Sequence, residues 1–112
     1  MAFEKICTLD DVWEGEMGGF VAGDGTAVLL VVFVGGAVKA FQGHCPHQQI
    51  ELAGGSLDGD VLTCRAHLWQ FDVTTGAGVN PANCRLAEYP TKVEGDDVFV
   101  DVEGVEPIQA GI

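Results

Sequence analysis

Cys45-Pro46-His47, sixteen intervening residues, then Cys64-Arg65-Ala66-His67 is the pattern on which the reading of this 112-residue chain turns. Each half supplies one thiolate and one imidazole. A structural zinc site can use two cysteines and two histidines, but zinc modules usually pair two cysteines in one half and two histidines in the other. The mixed halves argue for something larger than one zinc ion, and a binuclear iron–sulfur centre would explain the mixture. Such a centre sits clamped between two loops.

Around this pattern the chain changes character. From residue 43 to 81 lie every histidine and the two central cysteines, with turn signals at Gly54-Gly55, Asp58-Gly59 and Thr75-Gly76. This stretch is expected to be an inserted, site-bearing subdomain, with short strands at 61–63 and 69–73 flanking the second Cys/His pair. Before it, strands are expected at 3–7, 16–21, 26–34 and 37–42, separated by Gly23-Asp24-Gly25 and Gly35-Gly36. Thr8-Leu9-Asp10-Asp11 has the look of a short helical turn capped by Thr8. After Pro81 the pattern resumes at 86–93, turns at Glu94-Gly95-Asp96-Asp97 and ends in an alternating strand at 98–102. The tail from Glu103 is expected to pack loosely.

Sixteen glycines, four prolines and many short Val/Ile/Leu/Phe runs favour strands and tight turns. The expected fold is all-β, in a single domain spanning 1–112. Seventeen acidic residues against five basic ones give a net charge of −12. That charge repels nucleic-acid phosphates and anionic lipid headgroups, and suits a basic protein surface. The start, Met1-Ala2-Phe3-Glu4-Lys5, runs into Asp10-Asp11 with no apolar signal segment, and the longest apolar run, 27–34, is far too short for a membrane helix. A cytoplasmic location follows as the expectation. Cys7 and Cys84 have no neighbouring histidine and are expected to be small buried hydrophobes.

C-x-H followed by C-x₂-H is the signature of Rieske-type proteins, and nearly the whole chain resembles the small Rieske-type ferredoxins of bacterial oxygenases. Phe3-Glu4-Lys5-Ile6-Cys7, Cys45-Pro46-His47-Gln48, Cys64-Arg65-Ala66-His67-Leu68-Trp69 and Leu86-Ala87-Glu88-Tyr89-Pro90 further resemble the ferredoxin components of toluene monooxygenases. The resemblance implies one [2Fe-2S] cluster with Cys45 and Cys64 on one iron and His47 and His67 on the other. It also implies an antiparallel β-sandwich or barrel base bearing a two-loop cluster-binding subdomain. Respiratory Rieske proteins carry two further cysteines that tie the cluster loops together. Neither Gln48 and its neighbours nor Arg65-Ala66 provides them here.

By the same resemblance the chain is an electron carrier, not an enzyme. An NADH-dependent flavin reductase would reduce it, and it would pass single electrons to the di-iron hydroxylase of an aromatic monooxygenase, with no small-molecule substrate of its own. Ferredoxins of ring-hydroxylating dioxygenases share the motif, and a zinc-stabilised binding module is the reading from another class. A catalytic Rieske oxygenase needs a further iron site with two histidines and a carboxylate, and only His44 is left over. His44 is expected not to be a ligand. Trp69, Gln48, Arg65 and Pro81 are the candidates to lie around the ligands. Pro46 donates no N–H, no disulfide ties the loops and the chain is acidic, so the midpoint is expected in the lower third of the Rieske range of about −150 to +300 mV.

Overall fold

The apolar run around residue 30 becomes the spine of the molecule. The computed structural model describes residues 3–46, 50–65, 68–80 and 84–108. In chain order its strands are β1 (Glu4–Thr8), β2 (Glu16–Val21), β3 (Ala27–Val32), β4 (Val38–Gln42), β5 (Ser56–Asp58), β6 (Val61–Thr63), β7 (Gln70–Asp72), β8 (Gly78–Asn80), β9 (Glu88–Tyr89), β10 (Thr91–Glu94) and β11 (Asp97–Val100). A single 3₁₀ turn, Leu52–Gly54, is the one helical element among the described residues. The expected all-β class is what the chain adopts.

The strands form three antiparallel sheets, ordered β1-β11-β10, β2-β3-β4-β9 and β5-β6-β7-β8. β3 lies inside the middle sheet, and its side chains alternate between two cores, as the period of two in a strand requires. Val28, Leu30 and Val32 enter a base core with Ala40, Cys7, Tyr89, Val98 and Val100. Leu29 and Val31 enter a second core with Phe41, Leu52, Leu62, Phe71, Val73 and Leu86, and this core also contains Cys45 and Cys64. Each fully buried Val, Leu or Phe contributes about 1.5–3 kcal/mol, so β3 stabilises both halves and couples them.

Several expectations are corrected. The strand expected over 86–93 is broken in two: Glu88–Tyr89 pairs with β4, while Thr91–Glu94 pairs with β11. Pro90 has no N–H to donate to a ladder, and the chain changes sheets there. The helical turn expected at Thr8 is absent. Thr8 ends β1, its N–H donates to Asp11 Oδ2 at 2.8 Å, and the Asp11 N–H returns to the Thr8 carbonyl at 3.0 Å, which closes a tight turn on itself. The tail is not loose as far as Ile108: Val102 and Val105 pack on the base core, and Ile108 is held by two hydrogen bonds to Gln42.

Candidate metal centre

Both cysteines of the motif stand at the same place in two similarly closed loops. In the first, Leu52 donates to the Gly43 carbonyl at 2.9 Å, His44 and Glu51 form a bridge, and the Cys45 N–H reaches the Ile50 carbonyl at 2.9 Å. In the second, β6 and β7 run as a hairpin whose last pair is Thr63 and Gln70, and the Cys64 N–H reaches the Trp69 carbonyl at 2.7 Å. Each cysteine therefore ends a stem and opens a tip, residues 46–49 in one loop and 65–68 in the other. By sequence His47 and His67 fall within those tips; both lie outside the described residues, as do Gln48 and Pro81.

The stems are fixed by close backbone packing. Gly43 donates to the Ala27 carbonyl at 3.0 Å, and a Cβ on Gly43 would stand 2.7 Å from the Ala27 carbonyl carbon, so only glycine lets the first stem lie on β3. Cys45 and Cys64 are 3% and 0% exposed and share one apolar core with Phe41, Leu62, Phe71 and Leu86. A third segment returns beside them: Gly78 donates to the Cys84 carbonyl at 2.8 Å and Leu86 to the Gly76 carbonyl at 2.8 Å, which brings Cys84 against the same core.

The sequence pattern of the Rieske [2Fe-2S] domain matches residues 2–90. The chain belongs to the Rieske [2Fe-2S] family. It is 46% identical over 107 residues to the ferredoxin component of the alkene monooxygenase system of Xanthobacter autotrophicus, covering 95% of this chain and 84% of that one. It is 43% identical over 105 residues to the ferredoxin component of biphenyl 2,3-dioxygenase of Rhodococcus jostii, covering 93% and 96%. Among solved structures, a chain of the complex of reduced oxygenase and oxidized ferredoxin in carbazole 1,9a-dioxygenase superposes with a TM-score of 0.77 at 27% identity, over 88% of this chain and 91% of that one. Like these ferredoxins, this Rieske protein is an electron carrier holding a Rieske-type [2Fe-2S] cluster, not an enzyme. The zinc-module reading is set aside with that finding.

The residues present fit such a cluster. Two buried thiols brought into one core, each beginning a tip whose sequence includes an imidazole, are the donors that a mixed sulfur and nitrogen centre requires. Of the expected neighbours, Trp69 is half-buried and packs on the core that contains both cysteines. Arg65 is exposed at the second tip. His44 is half-buried, and its backbone serves the first stem through the bridge to Glu51. Cys7 lies in the other core, where burial, and after it the charge of Asp11, pushes its thiol up to about 11, so it stays protonated.

Two residues of this Rieske chain were not singled out by the sequence. Gln42 is a fully bonded amide at the root of the first stem. A glutamine directly after the buried pair Ala40-Phe41 and immediately before Gly43-His44-Cys45 was the available signal. Leu68, in the second tip, has a left-handed backbone at φ 55° and is 66% exposed. Nothing in the sequence marks a leucine for that conformation.

Proposed function

We propose that this chain carries single electrons from an NADH-dependent flavin reductase to the di-iron hydroxylase of a multicomponent aromatic monooxygenase in the cytoplasm. In this reading residues 1–112 are one domain, residues 43–81 are its cluster-binding part, Cys45 and Cys64 hold one iron, and His47 and His67 hold the other. The observation that carries it is the matched pair of loops, each with a buried cysteine at its stem and a histidine two or three positions further on. When bound there, the cluster supplies reversible one-electron chemistry at a potential raised by its two neutral imidazoles.

The chain's own residues do the rest. Leu62, Phe71 and Leu86 keep water from the cysteine side, and the three antiparallel sheets hold both stems rigid, which keeps reorganisation small. A net charge of −12 favours encounter with basic faces on the reductase and hydroxylase, and weakens as salt is added. No helix among the described residues is long and apolar enough to cross a membrane.

Electron paramagnetic resonance of the reduced protein tests the ligand set, because mixed Cys/His ligation and four-cysteine ligation give different g-values. Two irons and two labile sulfides per chain are expected, and Cys64→Ala should lose them. A Cys64→Ala protein that still cycled electrons normally would refute the assignment. The 43% identity to a biphenyl dioxygenase ferredoxin supports a second client, a ring-hydroxylating dioxygenase. Reconstituting product formation with each terminal oxygenase in turn separates the two, and the client is the one that turns over at low carrier concentration.

A further inference from the structure

Gln42, the last residue of β4, is 2% exposed, yet its side chain is an amide. Nε2 donates to the carbonyls of His44 and Ile108, each at 2.9 Å. Oε1 accepts from the N–H of Ala87 at 2.8 Å and of Ile108 at 2.9 Å. A primary amide has two N–H donors and two acceptor lone pairs, so every valence is used, and every partner is backbone. Gln42 and Ile108 exchange both bonds, as two residues of neighbouring strands would.

The three segments joined this way have different roles. His44 immediately precedes Cys45. Ala87 leads the chain from the third loop into β9. Ile108 is the last described residue of the tail, which runs from Val102 and Val105 on the base core to the side of the molecule that bears the first loop. Between tail and loop lies a cavity of about 300 Å³, lined on one side by Pro107 and Ile108 and on the other by His44 and Cys45.

We infer that the C-terminal segment is a strap, latched by Gln42, that fixes the first cysteine loop and limits water at Cys45, which makes Gln42 and Ile108 positioning residues for the redox centre. The inference rests on the reading of Cys45 as a ligand. Its physical basis is the cost of leaving a buried amide half bonded. Without Ile108, one Nε2 hydrogen and one Oε1 lone pair lose their partners, and only water entering that cavity or movement of His44 restores them. Either change reaches Cys45. One-electron reduction makes a Rieske centre more negative, so added water at its thiolate side favours the reduced form and raises the midpoint.

The test uses the cluster-loaded full chain beside two variants, one ending at Glu106 and one carrying Ile108→Pro, which deletes a single N–H of the latch. The readouts are the midpoint potential, the rate of bleaching by an iron chelator, and the far-ultraviolet circular dichroism. We expect unchanged β-structure, bleaching several-fold faster, and a rise in midpoint equivalent to about a tenfold shift of the redox equilibrium, about 59 mV for one electron. If the truncated chain does not fold, Ile108→Pro alone decides. Midpoints and bleaching rates equal to those of the parent in the folded variants would overturn the inference. Cys45→Ser in parallel tests the underlying reading separately: a parent-like cluster there removes Cys45 as a ligand whatever the strap does.

Discussion

Gly55 rests so closely against the carbonyl of Thr63 that a Cβ placed on Gly55 would collide with the Thr63 oxygen. Thr63 is the last residue of β6 and Cys64 follows it, so this contact sets how far the second stem lies from the turn at Leu52–Gly54.

Gly55→Ala should therefore disturb the site out of proportion to one methyl group. Forcing an atom into a packed contact costs about 1–3 kcal/mol, and here the atom that must move is backbone. The expected outcome is a melting temperature lower by about 4–8 °C per kcal/mol, with faster loss of visible absorbance under a chelator. Gly54→Ala is the matched control, since its Cβ would meet Arg65 Cδ at an ordinary 3.5 Å. Equal behaviour of the two variants would show that the Gly55 contact is not a constraint.

Cys7 gives a prediction of the opposite kind, a thiol that does nothing. Its folded value of about 11 lies above the ordinary 9.0, chiefly through burial and then through Asp11. The folded state thus keeps a proton that the unfolded thiol gives up earlier. Stability from this source is intact below about pH 9 and falls as pH rises toward about 11. Cys7→Ala should flatten that part of the alkaline limb in urea unfolding measured at several pH values. In the native protein near neutral pH, iodoacetamide should leave Cys7 unmodified, as read by peptide mass mapping. Rapid modification of Cys7 while the fold persists would contradict the burial argument.

Tyr89→Phe should stabilise the protein. Tyr89 is buried in the base core, and its hydroxyl has no hydrogen-bond partner among the described residues. A buried hydroxyl without a partner costs about 1–3 kcal/mol, so deleting it is worth up to about 1 kcal/mol after small losses in packing. Burial first, then Asp24 and Glu106, raise the phenol above its ordinary 10.0. The unfolded phenol therefore ionises first, and the wild type loses stability as pH rises above about 10, a loss that phenylalanine lacks. A urea midpoint that fell at neutral pH would mean that the hydroxyl is bonded after all.

How far these features were legible in advance depends on the length scale of their signals. β2 and β6 have the bounds expected, and the run at β3 announced a buried strand, because side-chain alternation and flanking glycines are local properties. β5 (Ser-Leu-Asp) and β8 (Gly-Val-Asn) carry one apolar residue each, so nothing local marks them as strands, and they exist because β6 and β7 offer them edges. The break at Pro90 was visible as a proline, but its meaning, a change of sheet, depends on β11 lying nearby. That Cys45 and Cys64 belong together was suggested by the motif, and the structure places both in one core. Gln42 was missed because three of its four side-chain bonds go to positions 87 and 108, distant in sequence, and every partner is backbone.

Leu68 supplies the last prediction, because its backbone conformation is one that a leucine rarely adopts. A leucine at φ 55° costs about 1–2 kcal/mol relative to a right-handed conformation, and the side chain held there is 66% exposed. Glycine at position 68 would relieve that cost but lose about 0.5–1 kcal/mol through greater freedom in the unfolded chain. Leu68→Gly should therefore leave the melting temperature and the midpoint potential nearly unchanged. An exposed apolar side chain beside His67 is placed to be covered when a partner docks, and burying it contributes about 1.5–3 kcal/mol. The variant should accordingly pass electrons to the terminal oxygenase with an apparent affinity weaker by about tenfold or more. Leu68→Asn separates bulk from hydrophobicity, since asparagine tolerates a left-handed backbone and remains large but polar. If both variants reduce the oxygenase as fast as the parent at limiting concentration, Leu68 shapes only the turn. If both are slow while fold and potential hold, the apolar side chain at this position serves docking.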